Sequence, residues 1–339
     1  MPTRLWKGIL AGIGLLLMIL DGKTGIYAAS EGVRICFQTL IPSLFPFFFL
    51  SIVLTSFLSG SSYQFLRPLG KLCRIPAGAE ILLINGLLGG YPAGAQGITQ
   101  AYEAGHLSKR QAERLLGFCS NAGPSFLFGI IASRFSHLRI AWVLWLIHIL
   151  SAIITGILLP GNADGPAVMT SPRQMAIPQA LNKSITIMAQ ICGWVIICRV
   201  LIQFLERWIL WIIPVWLQVT ITGFLELANG CCLLNAIPEE GTRFLICSGM
   251  LAFGGICVVM QTMSVTNKLG LGMYLPGKLI QTGISLILSY FAQFFLFHTS
   301  DRLVIHPWMI TVSILCILIP PIYFLWKEKN SSIPGKIGV

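Results

Sequence analysis

Residues 89–129 read GGYPAGAQGITQAYEAGHLSKRQAERLLGFCSNAGPSFLFG. Both ends are small and weakly polar, built from Gly, Pro, Ser and Asn, and the middle is charged. The stretch lies between long apolar segments of a chain whose mean hydropathy is +0.80. Hydrocarbon offers backbone N–H and C=O groups no partner, so a helix break there must be buried in protein or line a watery cavity. Transporters use paired breaks of this kind to present backbone groups to a substrate. The stretch therefore reads as a helical hairpin. Gly89-Gly90-Tyr91-Pro92 ends one half-helix, and Ser120-Asn121-Ala122-Gly123-Pro124-Ser125 interrupts another. Between them, residues 103–114 are expected in water, with Ser108 and Gln111 as a capping box for the returning helix.

The wider composition agrees. The chain has 339 residues, of which 55% are hydrophobic and 10% charged. A soluble domain carries roughly 25% charged residues, so this balance points to the bilayer. A span needs about 20 apolar residues. Segments 139–159, 184–205, 208–227, 279–297 and 308–326 qualify, as does 41–58 despite Pro42 and Pro46. Segment 244–265 is apolar but weakened by Gly249, Gly254 and Gly255. The basic, then apolar N-terminus ending at Ala28-Ala29 resembles a secretory signal. It is expected to stay as a first helix, since a first span can direct insertion by itself. The net charge of +11 collects before the first span, after the second and at the C-terminal tail. It reads as the positive-inside bias of a membrane protein, not as a nucleic-acid surface. Both termini are then expected inside. The ten cysteines lack any CxxC pair and read as small hydrophobes.

The expected fold is an all-α polytopic membrane protein. About eight transmembrane helices form two related halves, each with a broken, re-entrant-like hairpin. An N-terminal helix and short loop occupy 1–38, the first half 39–160, and a linker loop 161–183. The second half follows at 184–300, and a last helix with a basic tail at 301–339. Asn85-Gly86-Leu87-Leu88 is faintly similar to Thr222-Gly223-Phe224-Leu225. Arg114-Leu115-Leu116 before Cys119-Ser120 is likewise similar to Arg243-Phe244-Leu245 before Cys247-Ser248. The second hairpin would carry Glu226, Asn229 and Gly230 on one arm, and Ser248, Gly249, Gly254, Gly255 and Gln261-Thr262 on the other. An acid within an apolar helix is by default functional. The alternative is that Glu226 snorkels at a membrane edge near Pro238-Glu239-Glu240.

Other motifs fail on chemistry. The run from Gly272 to Lys278 fits GxxxxGK, but Leu279 follows where a P-loop needs a hydroxyl for Mg²⁺. It is expected to be a membrane-edge turn with a snorkelling lysine. HExxH and GxSxG are absent. Of the five histidines only His148 lies deep in a span, where a packed helix contact is expected. No catalytic residue, metal or cofactor is expected, and the protein does not read as an enzyme.

The residues 90–95 (GYPAGA) and 113–126 (ERLLGFCSNAGPSF) resemble the YlbJ-type sporulation integral membrane proteins, which carry the nucleoside recognition or Gate domain. The pattern is a G-[FY]-P-x-G-A turn, a charged helical hairpin, then ERLL-x-F-x-x-N-x-x-P-x-F. The stretch GFLELANG at 223–230 is similar to a second-half pattern. The resemblance implies a multi-pass protein of the cell membrane, or forespore membrane, of an endospore former. In the best-understood branch it implies movement of dipicolinic acid towards the forespore. Carried onto this chain, the substrate region is Pro92, Gly94, Ser120, Asn121, Gly123 and Pro124, with Glu226 and Asn229 from the second half. The short central loop and weaker second hairpin depart from the family pattern. The implied partners are a small anionic substrate and the bilayer, with a second copy or other sporulation membrane proteins beside them. Half-helix N-termini suit carboxylates, and Arg114 either steers anions or anchors the chain. Two other functions stay open: a nucleoside or ion permease using Glu226 for a coupling cation, and a non-transporting scaffold docking through residues 103–114.

Overall fold

The computed structural model describes residues 2–58, 64–161, 176–266, 268–297 and 313–320. The described residues are helical and contain no strand. Helix α1 is Pro2–Leu20 and α2 is Gly22–Ile35; a π-turn at Cys36–Leu40 leads into α3, Ile41–Leu58. The charged stretch 21–34, where the short loop expected within 1–38 would fall, is therefore helix. Asp21 caps it by accepting from the Thr24 N–H at 3.4 Å, and Arg34 pairs with Glu31 at 2.7 Å. An (i, i+3) pair of this kind makes charges compatible with a helix.

The middle of the chain is built from shorter pieces. Helices α4 (Arg67–Leu72), α5 (Ile81–Gly89), α6 (Ala93–Glu103) and α7 (Lys109–Cys119) precede a one-turn α8 (Pro124–Phe126). A π-turn and a 3₁₀ turn then lead to α9, Leu138–Leu158. After the 32-residue α10 (Ile177–Trp208) the pieces shorten again: α11 (Val215–Leu225), α12 (Leu227–Leu233), α13 (Glu240–Phe253) and α14 (Gly255–Val265). Helix α15 is Tyr274–Leu296, and among the described residues 313–320 form a further helical stretch, α16.

Among the described residues, six stretches are long and apolar enough to cross a membrane: Gly22–Leu54, Lys109–Arg134, Leu138–Leu158, Ile177–Trp208, Glu240–Val265 and Tyr274–Leu296. The expected eight are not reached among the described residues. Segment 208–227 divides into a 3₁₀ turn and α11, which is too short to span. The first helix contributes only the shorter apolar stretch Ala11–Leu20. Most of the expected span at 308–326, the basic tail and most of the linker loop lie outside the described residues.

Burial separates the six into two kinds. Lys109–Arg134 and Glu240–Val265 are each 72% buried, against 22% for Gly22–Leu54 and 28% for Ile177–Trp208. The two most buried stretches are the two that contain interruptions, at 120–123 and at Gly254. Protein surrounds the breaks, as broken backbone at membrane depth requires. At Gly254 the chain turns through φ +86°, the left-handed conformation that glycine adopts without cost.

Helix α15 packs on α7, α9 and α13. It meets α7 at a glycine–glycine crossing. A methyl group on Gly277 would overlap the Gly117 backbone, and one on Gly117 would come within 2.7 Å of the Met273 carbonyl. Small residues let helix backbones approach closely in a membrane, where no hydrophobic force drives them together. The inner stripe of α15 is polar at three- and four-residue spacing: Lys278, Gln281, Thr282, Ser285, Ser289 and Gln293 are all buried. Ser285 and Ser289 meet the Ser248 hydroxyl of α13 at 2.7 and 2.6 Å.

Candidate functional site

The break at 120–123 begins where α7 ends, with Ser120 extended (φ −108°, ψ 105°). Leaving the helix strips these residues of their intrahelical partners, and side chains from two other helices supply new ones. The N–H of Ala122 donates to Nε2 of His148 on α9 at 3.1 Å. The Ser120 carbonyl accepts from the Lys278 ammonium of α15 in a very short contact. Asn121 accepts from the Gln281 amide at 2.9 Å and donates to the Phe118 carbonyl at 2.7 Å. His148 is thus more than a packing contact: it replaces a missing backbone partner.

Lys278 is completely buried. The expectation of a snorkelling lysine at a membrane-edge turn is wrong, because Tyr274–Leu296 is one continuous helix whose inner face carries Lys278 into the bundle. Its ammonium donates to the Tyr91 hydroxyl at 3.1 Å, the Gln281 amide oxygen at 2.8 Å and the Asn121 amide oxygen at 3.4 Å, besides Ser120. The rings of Tyr91 and Tyr274 lie 5.2 and 5.9 Å from it. Every partner is neutral, and among the described residues no carboxylate pairs with it.

The second break places Glu226 between α11 and α12, 3% exposed. Burial rules out a snorkelling role at an edge. Its carboxylate caps α12, accepting from the N–H groups of Ala228 and Asn229 at 3.0 and 2.6 Å and from the Asn229 side chain at 2.7 Å. These bonds hold the acid in place.

The breaks meet. One cavity of about 40 Å³ is lined by Gly90, Tyr91, Ala122 and Gly123 from the first region, and by Glu226, Leu227 and Gln261 from the second. At about 10–15 Å³ per water, that is room for about three. Of the expected substrate residues, Gly123 and Glu226 line this cavity. Ser120 and Asn121 face Lys278 and Gln281 just behind its wall. Asn229 is committed to Glu226. Pro92 sits at the start of α6 and Pro124 opens α8. Gly94 is a packing position, where a methyl would come within 2.7 Å of the Cys119 carbonyl.

Arg114 takes neither expected role. It is 3% exposed, and its guanidinium donates to the carbonyls of Cys73, Arg74, Gly156 and Leu159. The water-facing part of the hairpin therefore stops before it. The capping box is present: the Gln111 N–H donates to Ser108 Oγ at 3.3 Å, and the Ser108 N–H to the Gln111 side chain at 2.8 Å.

Helical spans, buried breaks and the cavity they share define a multi-pass integral membrane protein. Among curated proteins the chain is similar to the sporulation integral membrane protein YlbJ of Bacillus subtilis (strain 168). The identity is 32% over 113 residues, which is 32% of this chain and 27% of that relative. The matched stretch thus spans about a quarter of the relative's length. No protein-family model matches the chain, and no solved structure matches it.

Proposed function

We propose that this protein is a sporulation-associated membrane carrier for a small organic anion, with dipicolinic acid as the first candidate substrate. One observation carries the reading: extended backbone from two separate helix breaks meets at a single buried cavity. Such an arrangement costs the fold hydrogen bonds, and transporters are where membrane proteins use it. The element order helix–break–helix–turn–helix–break–helix occurs at 81–126 and again at 215–265. This recurrence supports two related halves, each with a broken hairpin, in a Gate-type architecture. The likeness to a sporulation integral membrane protein supports the cellular setting, the cell or forespore membrane. The test is flux into proteoliposomes holding the purified chain alone, with labelled dipicolinate and with uridine as control. Saturable dipicolinate uptake is expected, and a folded protein that moves neither solute would sink the carrier reading.

A second reading has its own support. Glu226 is a buried carboxylate on the cavity wall without a cationic partner among the described residues. It suits a nucleoside or ion permease coupled to a cation. In that case uridine flux would require Na⁺ or a proton gradient and would collapse in Glu226→Gln.

A further inference from the structure

Lys278 poses a chemical question that the fold alone does not answer. A charged side chain inside a membrane bundle is costly unless it is paired. Nature retains such a lysine within membrane spans chiefly on substrate and ion pathways. Here the ammonium has three N–H groups and four acceptors, all neutral. Dipoles solvate the charge without neutralising it. The site is therefore a cation held ready, with its counter-charge missing among the described residues.

Its position gives that charge a use. Tyr91 lines the cavity, and its hydroxyl is one of the four acceptors. The ammonium thus lies one hydrogen bond behind the cavity wall. Ser120 and Asn121, its other contacts on the first break, directly precede the lining residues Ala122 and Gly123. A ligand that moves the Tyr91 hydroxyl aside meets the ammonium directly. Glycine at 254 leaves the Tyr91 ring without a side chain opposite it, the nearest approach being 3.1 Å to where a methyl would stand.

We infer that Lys278 is the fixed cation of the binding site and forms an ion pair with a carboxylate of the substrate. The carboxylate replaces neutral acceptors now held by the ammonium, with Gln281 and Asn121 left to hydrogen-bond its second oxygen. Charge-assisted pairs are roughly twice as strong as neutral hydrogen bonds, so the exchange favours an anion over an uncharged analogue of the same shape. This inference rests on the carrier reading in that the cavity region takes the ligand.

The test is binding to the purified full-length chain in detergent, followed by ligand-induced thermal stabilisation. The probes are dipicolinate, benzoate as a simple carboxylate, and the neutral diamide of dipicolinic acid. Lys278→Gln is expected to weaken dipicolinate about tenfold or more and leave the diamide within about twofold, with Lys278→Arg intermediate. Gln281→Glu tests the same idea with the lysine intact. It places a carboxylate against the ammonium, mimics the bound anion and should weaken dipicolinate binding far more than diamide binding. Equal dipicolinate affinity in wild type and Gln281→Glu, or equal loss of dipicolinate and diamide in Lys278→Gln, would overturn the inference. Wild type that ignores dipicolinate but binds benzoate through Lys278 would sink dipicolinate as substrate and retain Lys278 as the carboxylate partner. Absence of binding by either carboxylate to the wild type would overturn it.

Discussion

Arg114 shows how a buried charge can be structural. Its guanidinium reaches the Cys73 carbonyl at 2.9 Å, Arg74 at 3.2 Å, Gly156 at 2.6 Å and Leu159 at 3.2 Å. It thereby ties the end of α9 to the turn after α4. Replacing it with methionine leaves several buried carbonyls without partners, at about 1–3 kcal/mol each. Arg114→Met is expected to lower the thermal midpoint in detergent by at least 5 °C, and Arg114→Lys to recover only part, since an ammonium lacks the planar fork. An unchanged midpoint in Arg114→Met would remove the clamp. The sequence could not reveal this role, because the carbonyls come from residues about 40 positions away on either side. Lys278 is legible in the sequence as part of a polar stripe. Positions 278, 281, 282, 285, 289 and 293 lie on one helical face, and a polar stripe on an apolar helix marks its inner side. The GxxxxGK match around Lys278 carries no phosphate chemistry, since Leu279 follows it.

Individual helices were easier to read than their number. The breaks at 89–92 and 120–125 were visible because Gly, Pro and Asn carry local conformational preferences that tertiary packing does not erase. The capping box was visible for the same reason. What failed was neutrality: 21–34 looked like a loop by polarity, yet Glu31 and Arg34 satisfy each other on one helix. The crossing of α7 and α15 gives a prediction at this scale. Gly277→Ala puts a methyl into the Gly117 backbone, which cannot yield as a flexible side chain would. Overpacking of this kind costs about 1–3 kcal/mol. Dipicolinate flux should fall as well, because Lys278 follows Gly277 directly and moves with it. Gly193→Ala is the control: nothing lies within 4 Å of the added methyl, so a neutral or slightly stabilising change is expected. Equal thermal midpoints for the two variants would show that the helices do not meet at these glycines.

At the scale of the whole molecule, the cavity is too small for the proposed cargo. About 40 Å³ takes a few waters and not an aromatic dicarboxylate. On the carrier reading, transport requires the two break regions to part. The elements that would move are those of low internal continuity. Helices α6 and α14 touch across the chain's two halves, and α12 touches the π-turn at Leu127–Ile131. Ala228 tests this directly, since it lines the cavity and is 3% exposed. Ala228→Leu adds three carbon atoms where about 40 Å³ stands open, so the new side chain fills space before it strains the fold. The thermal midpoint should stay within about 3 °C of wild type, because filling and crowding offset each other. Dipicolinate flux should fall at least tenfold, because the plug occupies the point where both breaks present their polar groups. Flux that persists at the wild-type rate in a folded Ala228→Leu protein would place the permeation path elsewhere in the bundle. The Glu226–Tyr91 cavity would then be a buried structural void, and the two breaks would need another explanation.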